Sequence, residues 1–331
     1  MSAPLLLLIP DWIGRHSALG SAGPQAGRIE GLWWLMFWVC SAVFVLVMAA
    51  LAGALMRSRR REESDLPAPL APESRQRMTR WVGVAVAATV VILFILLVAS
   101  VSTGRAVASL SAPKAPVVKV TGHQWWWQVE YLDPIPDRMV TTANEIHIPT
   151  GKPVLFRLAA SDVIHSFWVP NLHGKRDLIP GHDTEYWLQA DRPGVYRGFC
   201  AEFCGHQHAH MGFLVIAEPP EKFDAWYNAQ LQPGALPATP EQQRGRQLVE
   251  SLPCALCHNI TGSQASGKTG PDLTHLASRR TLAAGTLPNT PGNLAGWILD
   301  PQTIKPGNHM PANSLAAEDV QAVLAYLGSL K

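Results

Sequence analysis

Twelve residues, Cys200 to Met211 (CAEFCGHQHAHM), hold two cysteines, three histidines, one glutamate and one methionine. Soft thiolate and thioether donors beside imidazole select copper over magnesium or calcium. A mononuclear blue-copper site takes two histidines, one cysteine and a weak axial methionine. This loop has one thiolate too many for that. With His165 from the earlier stretch SDVIHSFWVP as a second imidazole beside His208, the set makes sense as two copper ions bridged by Cys200 and Cys204. Each ion then takes one histidine, and Met211 and a backbone carbonyl fill the weak positions. Sharing an electron between bridged ions leaves little to rearrange, which suits electron relay rather than bond chemistry. A structural Cys2His2 zinc site and a Cys200–Cys204 disulfide are the alternatives. His206 and His210 read as solvated or supporting, and His123 and His147 as structural.

Further along, CALCH (Cys254 to His258) is Cys-x-x-Cys-His, the attachment signature of c-type haem. Two thiols at that spacing reach the two vinyl groups of one porphyrin, and His258 offers an axial nitrogen. A thioredoxin-like reading of the motif would want a strand in an α/β pattern, which is absent. The helical stretch EQQRGRQLVESL leads into the motif, GPDL (Gly270 to Leu273) follows it, and KPGNHMP offers Met310 as sixth ligand before a terminal helix. His/Met ligation raises the haem potential. A bis-His site using His309 is the alternative, and His275 reads as a surface or packing residue.

These motifs need elements to position them. The chain has 331 residues, which suggests two or three domains. Its formal net charge is only +2, so nothing resembles a nucleic-acid-binding surface. Two runs carry no charge, Leu32 to Met56 and Trp81 to Ser102. Each is long enough to cross a hydrocarbon core of about 30 Å as a helix. The segment between them, Arg57 to Arg80, holds seven arginines, which places it in the cytoplasm by the positive-inside rule. Both termini and everything after Ser102 then lie outside. MSAPLLLLIPDW is a weak signal peptide, lacking a basic start and broken by Pro10 and Asp11, and reads as a remnant or an ordered tail. Cys40 lies inside the first span as a small apolar filler.

The domain plan is therefore a tail, 1–31; a hairpin, 32–103, with helices 32–56 and 81–102 around the loop 57–80; a linker, 104–116; a β domain, 117–230; a second linker, 231–240; and a helical haem domain, 241–331. In the β domain, runs such as VVKVTGHQWWWQVEY, NEIHIPTGKPVLFRLAA and GFLVIAE are rich in β-branched and aromatic residues, and Gly, Pro and Asp punctuate them. They predict an antiparallel sandwich or barrel, followed by a short helix at EKFDAWYNAQL. Of the triplet Trp125 to Trp127, alternation predicts that one points inward.

Taken together, the hairpin, GHQWWW, DVIHSFWVP, LIPG, CAEFCGHQHAHM and CALCH resemble subunit II of haem–copper cytochrome c oxidases, in the caa-type variant with a fused cytochrome c. The resemblance spans nearly the whole chain. It implies a multidomain protein: a two-helix transmembrane hairpin, an all-β cupredoxin barrel and an all-α class I cytochrome c. It implies a dinuclear CuA centre held by His165, Cys200, the carbonyl of Glu202, Cys204, His208 and Met211. The Glu202 side chain would join a magnesium site shared with subunit I, and Trp125 would be the aromatic surface residue through which electrons enter. One covalent haem c would be bound by Cys254 and Cys257, with His258 and Met310 axial. Electrons would pass from an external cytochrome c or other periplasmic donor through haem c and CuA to subunit I. There dioxygen is reduced to water with proton pumping, so no catalytic residue lies in this chain. Implied partners are subunit I, subunit III and membrane lipid, in a bacterial inner membrane with the metal domains on the periplasmic side. Two positions depart from the family: Met78 stands where a glutamate near a proton-uptake channel is common, with Glu73 nearby, and His182 where an arginine often follows the IPG turn.

The β domain carries thirteen acidic against nine basic residues, a balance that would steer a basic donor. A CuA-bearing subunit of a nitric oxide reductase and a redox-sensing module without a catalytic partner are the competing functions. No Ser/His/Asp triad or phosphate loop is present.

Overall fold

The computed structural model describes residues 14–58, 72–109 and 115–331. The start of the chain (1–13), Arg59 to Arg61 with most of the basic loop, and residues 110–114 of the first linker lie outside the described residues.

One compact unit, Arg28–Leu110, is built from two long helices, α1 (Pro24–Ser58) and α2 (Pro72–Ala108). Proline opens each helix, where its missing N–H is one the first turn leaves unpaired anyway. Both outrun the charge-free runs that marked them, because hydropathy registers the part that meets lipid and not the length of hydrogen-bonded helix. The second therefore continues through TGRAVA into what the sequence marked as linker. At 37 residues α2 is roughly 55 Å long, well beyond an apolar core. None of its side chains is buried. Its length and composition suffice to cross a membrane. Met78 lies within the first turns of α2, and Glu73 in its opening turn.

The other unit, Met1–Gly27 with Ser111–Lys331, contains both the β domain and the haem-motif domain. Its described residues before α1 form an ordered tail on the β domain. Arg15 N donates to the Val195 carbonyl at 2.7 Å, Arg197 N donates to the Arg15 carbonyl at 2.7 Å, and Ala22 N donates to the Asn171 carbonyl at 2.7 Å.

Ten strands form the β domain: β1 (Val117–His123), β2 (Trp126–Leu132), β3 (Val140–Ala143), β4 (Glu145–Pro149), β5 (Val154–Ala160), β6 (His165–Trp168), β7 (Arg176–Leu178), β8 (Thr184–Leu188), β9 (Gly194–Cys200) and β10 (Gly212–Glu218). They make two five-stranded sheets, ordered β3-β2-β1-β5-β8 and β4-β10-β9-β6-β7. The sandwich is not wholly antiparallel as expected, since β1 pairs with β5 and β10 with β4 in parallel. Alternation within a strand specifies its buried face, but strand order is set by long crossovers that leave no local pattern. The faces do follow alternation. Val118 and Val120 of β1 and Trp127, Val129 and Tyr131 of β2 point between the sheets. Trp127 is fully buried and meets Phe213 and Phe167 at ring distances of 5.1 and 6.0 Å. Helix α3 (Pro220–Gln230) closes one end, with Trp226 and Tyr227 packed on Tyr131.

The last domain carries α4 (Pro240–Ser251), α5 (Cys254–Cys257), a two-strand ribbon β11 (Thr281–Leu282) and β12 (Leu287–Pro288), α6 (Pro291–Leu299), α7 (Pro301–Ile304) and α8 (Ala317–Leu327). Its helix starts are written in the sequence. Thr239 Oγ1 accepts from Gln242 N and Thr290 Oγ1 from Asn293 N, capping α4 and α6 ahead of their first-turn prolines. Val249, Ile298, Val323, Tyr326 and Leu327 form the core between α4, α6 and α8. The second linker is packed rather than free, with Gly234 N donating to the Thr261 carbonyl. His275 is a buried packing residue whose ring bonds the Gln232 and Lys331 carbonyls.

Candidate metal centre

Three neighbouring strand ends converge on one spot. His165 opens β6, Cys200 closes β9, and Met211 directly precedes β10. Because β10, β9 and β6 are adjacent in one sheet, the loop Cys200–Met211 must fold back over the end that also presents His165. The Cys200 and Cys204 thiols and the His165 ring nitrogen lie within 4.8 Å of one another, and all three residues are buried. Each cysteine faces one histidine: Cys200 Sγ is 3.8 Å from His165 Nδ1, and Cys204 Sγ is 3.5 Å from His208 Nδ1. Met211 Sδ lies 3.7 Å from Cys204 Sγ, and the Glu202 carbonyl oxygen 3.1 Å from Cys200 Sγ. Both cysteines are free thiols rather than a disulfide. His210 instead meets Gln207 Oε1 at 2.8 Å.

The electrostatics call for a cation. The Cys204 thiol donating to Cys200, together with His165, pulls the Cys200 thiol down to about 4, while the same pairing pushes the Cys204 thiol up. Two thiolates in contact repel, so both are ionised together only when positive charge sits between them. The donor set therefore fits a pair of soft metal ions.

The supporting residues were only partly visible in the sequence. Asp162 Oδ1 bonds His165 Nε2 at 2.8 Å, and Oδ2 accepts from Gln124 N at 2.6 Å. A carboxylate on the far ring nitrogen orients a ligating histidine and raises its basicity. From GHQWWW, Trp125 Nε1 and Gln124 Nε2 both donate to the Cys204 carbonyl, at 2.9 and 2.8 Å. Gly122 of that motif runs under the His165 ring. A Cβ there would come within 2.7 Å of His165 Cδ2, so glycine is needed for close approach.

The second site is a cleft lined by Cys254, Cys257, His258, Arg279, Met310 and Trp125. His258 Nδ1 donates to the Pro271 carbonyl of GPDL at 2.7 Å, fixing the ring and leaving Nε2 free for an axial bond. Met310 is held on both sides: its N donates to Asn308 Oδ1, and its carbonyl accepts from Gln302 Nε2, each at 2.8 Å. The buried Arg279 donates to the Asp272 carbonyl and to Thr142 Oγ1, while its Nε has no partner among the described residues. That orphan donor suits a group carrying carboxylates, and the paired thiols, histidine and methionine suit haem.

The two sites share a wall, and this corrects one expectation. Trp125 is not a surface residue but only 7 % exposed. The loop carrying Met310 covers it, with the His309 ring 5.8 Å away and Lys305 Nζ donating to the Trp125 carbonyl at 2.9 Å. The reason is docking of the last domain onto the β domain. Glu145, at the start of β4, accepts from Arg280 N and Thr281 N, both at 2.8 Å, and Gly212 N donates to the Ala284 carbonyl at 2.9 Å. Burial pulls the Lys305 ammonium down to about 7. Asp162, Glu145, Arg279 and Lys305 carry no motif signal, since each acts on residues distant in the chain. Trp126 stacks on His123 at 4.4 Å.

Known proteins match this arrangement. Residues 132–218 match the family described as Cytochrome C oxidase subunit II, periplasmic domain, and residues 242–331 match Cytochrome c. The cytochrome c oxidase subunit 2 of Alkalihalophilus pseudofirmus (strain OF4) is 36% identical over 337 residues, covering 99% of this chain and 95% of that one. The chain belongs to the cytochrome c oxidase subunit II family. The subunit 2 of Bacillus sp. (strain PS3) is 32% identical over 83% of this chain and 80% of its own length. A solved structure of the periplasmic domain of subunit II of cytochrome oxidase from Bradyrhizobium japonicum is 29% identical over 36% of this chain and 96% of that one, with a TM-score of 0.34. As a subunit II it has the cupredoxin-like β domain that implies CuA copper and the cytochrome c domain that implies haem. It serves electron transfer in a terminal oxidase, and partnership with subunit I follows from that membership. The two apolar helices and that membership together make it a two-pass membrane protein with its metal-bearing domains outside the cytoplasm.

Proposed function

We propose that this subunit II collects electrons at its cytochrome domain, passes them inward to the copper loop and delivers them to subunit I, where dioxygen becomes water and protons are pumped. His165, Cys200, the Glu202 carbonyl, Cys204, His208 and Met211 would hold CuA. Cys254 and Cys257 would anchor one haem c, with His258 and Met310 as the residues offered to its iron. When bound, the copper pair and the haem supply one-electron redox chemistry.

The observation that carries this reading is Trp125, which lines the cleft of the CALCH histidine and whose Nε1 donates to the Cys204 carbonyl. One aromatic residue thus reaches both ligand loops. With Trp125 covered, the outside donor, an external cytochrome c or another periplasmic carrier, approaches the cytochrome domain. The Glu202 carboxylate would serve a magnesium ion at the subunit I interface, and subunit III would complete the assembly. The helices would cross the bacterial inner membrane with both termini on the periplasmic side.

The test is to produce the full chain in a host that attaches haem, load copper in detergent, and measure the Cu:Fe ratio with an EPR spectrum. We expect about two coppers per haem iron and a mixed-valence signal, as a thiolate-bridged pair requires. Zinc, a single copper, or a Cys200–Cys204 disulfide would sink the assignment.

Asp162 gives a second check. Asp162→Asn keeps the shape but loses the negative charge on His165, and copper affinity is expected to fall by roughly tenfold or more. Copper titration against a competing chelator measures this. Unchanged affinity would mean that Asp162 only shapes the loop.

A further inference from the structure

Lys305 is 2 % exposed at the seam between the two metal-site domains. Its Nζ donates to the Trp125 carbonyl and the His210 carbonyl, both at 2.9 Å, and to the Ala283 carbonyl at 3.3 Å. The first two acceptors belong to the β domain and the third to the cytochrome domain. An ammonium has three donors and no acceptor, so three carbonyls satisfy it completely. Among the described residues no carboxylate forms an ion pair with it. A buried amine with no carboxylate partner is expensive, and a core position could be filled more favourably by a leucine or methionine.

We propose that Lys305 is a positioning residue that latches the Met310 loop onto the copper loop, so that the haem cleft stays seated against Trp125. The inference rests on the relay reading above for its consequence, though the latch itself rests on geometry alone. The Met310 loop is tied down by its own hydrogen bonds. Asn308 Nδ2 donates to the Pro301 and Lys305 carbonyls, and Gln302 Nε2 donates to those of Asn308 and Met310. The copper loop is gripped at adjoining points. Gln207, between Cys204 and His208, donates through Nε2 to the Pro306 carbonyl at 2.7 Å, next to Lys305 itself. His210, whose carbonyl Lys305 takes, immediately precedes Met211. A single side chain therefore ties the backbone beside one ligand set to the loop carrying the other, with Trp125 clamped between. Electron transfer between the two sites then needs no domain search.

The test compares the full-length, haem- and copper-loaded chain with Lys305→Met and Lys305→Gln, which keep much of the volume and remove the charge. Haem is reduced by a photoreductant flash, and the optical decay at haem is followed against the rise at copper. Hydrogen exchange is read at Gly212, whose amide crosses the seam to the Ala284 carbonyl. We expect transfer to slow and Gly212 exchange to accelerate by about tenfold or more, the loss that follows when buried carbonyls lose a charged partner. The haem spectrum and copper EPR signal stay as in the unsubstituted chain, an outcome that general unfolding would not give. Unchanged transfer and exchange in both variants would overturn the proposal. If neither variant folds, the unsubstituted chain still decides: Gly212 must be as protected as the β10 amides beyond it, and free exchange there overturns the latch. Absence of a mixed-valence signal in the unsubstituted chain removes the copper reading alone, and the exchange measurement still judges Lys305.

Discussion

Replacing Cys204 with serine is expected to abolish the mixed-valence copper signal and lower oxygen consumption by the assembled oxidase by about a hundredfold or more, leaving the haem spectrum intact. The reason lies in how many groups converge on one sulfur. Cys204 Sγ stands 3.5 Å from His208 Nδ1 and 3.7 Å from Met211 Sδ, and it shares the buried centre with Cys200. A serine hydroxyl is a harder, weakly acidic donor, and it cannot bridge two soft ions as a thiolate does. Changes to residues that merely support a ligand already weaken metal sites by roughly 10–100-fold, so loss of a shared ligand should exceed that. The backbone should survive, because the Cys204 carbonyl keeps its bonds from Trp125 and Gln124. Copper content, EPR and oxygen uptake on the same preparation make the check. Two coppers with an unaltered signal would show that Cys204 does not bridge.

The second large effect concerns the cytochrome domain. Gly245→Val is expected to destabilise that domain by about 3 kcal/mol or more, with little haem-loaded chain recovered. Helices α4 and α8 cross at Gly245, where a Cβ would lie 1.9 Å from the Ala322 carbonyl oxygen and 2.8 Å from Tyr326 Cβ. The nearest obstacle is backbone, which has no rotamer to move into, so the helices must part. Parting them loosens Val249, Val323 and Tyr326, which make up much of this small core. Gly296→Ala is the control. It lies within α6 with its nearest neighbour 4.0 Å away, and helix propensity alone should stabilise it by roughly 1 kcal/mol. Thermal melting followed at the haem absorption distinguishes the two. Equal melting points would mean that the helix crossing tolerates a side chain.

Gly245 illustrates what the sequence left unsaid. The helical pattern of EQQRGRQLVESL was plain, although its start at Pro240, capped by Thr239, fell inside the stretch read as linker. Nothing local marks its glycine as the crossing point, because the obstacle comes from Ala322 and Tyr326, far along the chain. The copper loop shows the reverse. Cys200, Cys204, His208 and Met211 lie within one turn-rich segment, so their donor types and spacing announced a metal site before any fold was known. His165 required only the sheet neighbours of β9 to bring it alongside. The resemblance made Trp125 a surface entry for electrons, and its burial was not legible, since the cover comes from Lys305 and His309.

What the sequence determined by itself is therefore the chemistry held in short segments. It carries the soft-donor loop, the haem-attachment pentapeptide, two charge-free apolar runs long enough to cross a membrane, and strand alternation that turns one of the three tryptophans inward. These depend on residue type and on periods of a few residues, which survive in one dimension. The tertiary structure alone decided which strands pair in parallel, that Glu145 and Lys305 join the two metal-site domains, and that Asp162 orients His165. It also decided that Trp125 lies between the haem cleft and the copper loop. Those contacts join residues up to 180 positions apart. Their stability comes from burying polar groups against partners that the folded chain alone brings within reach.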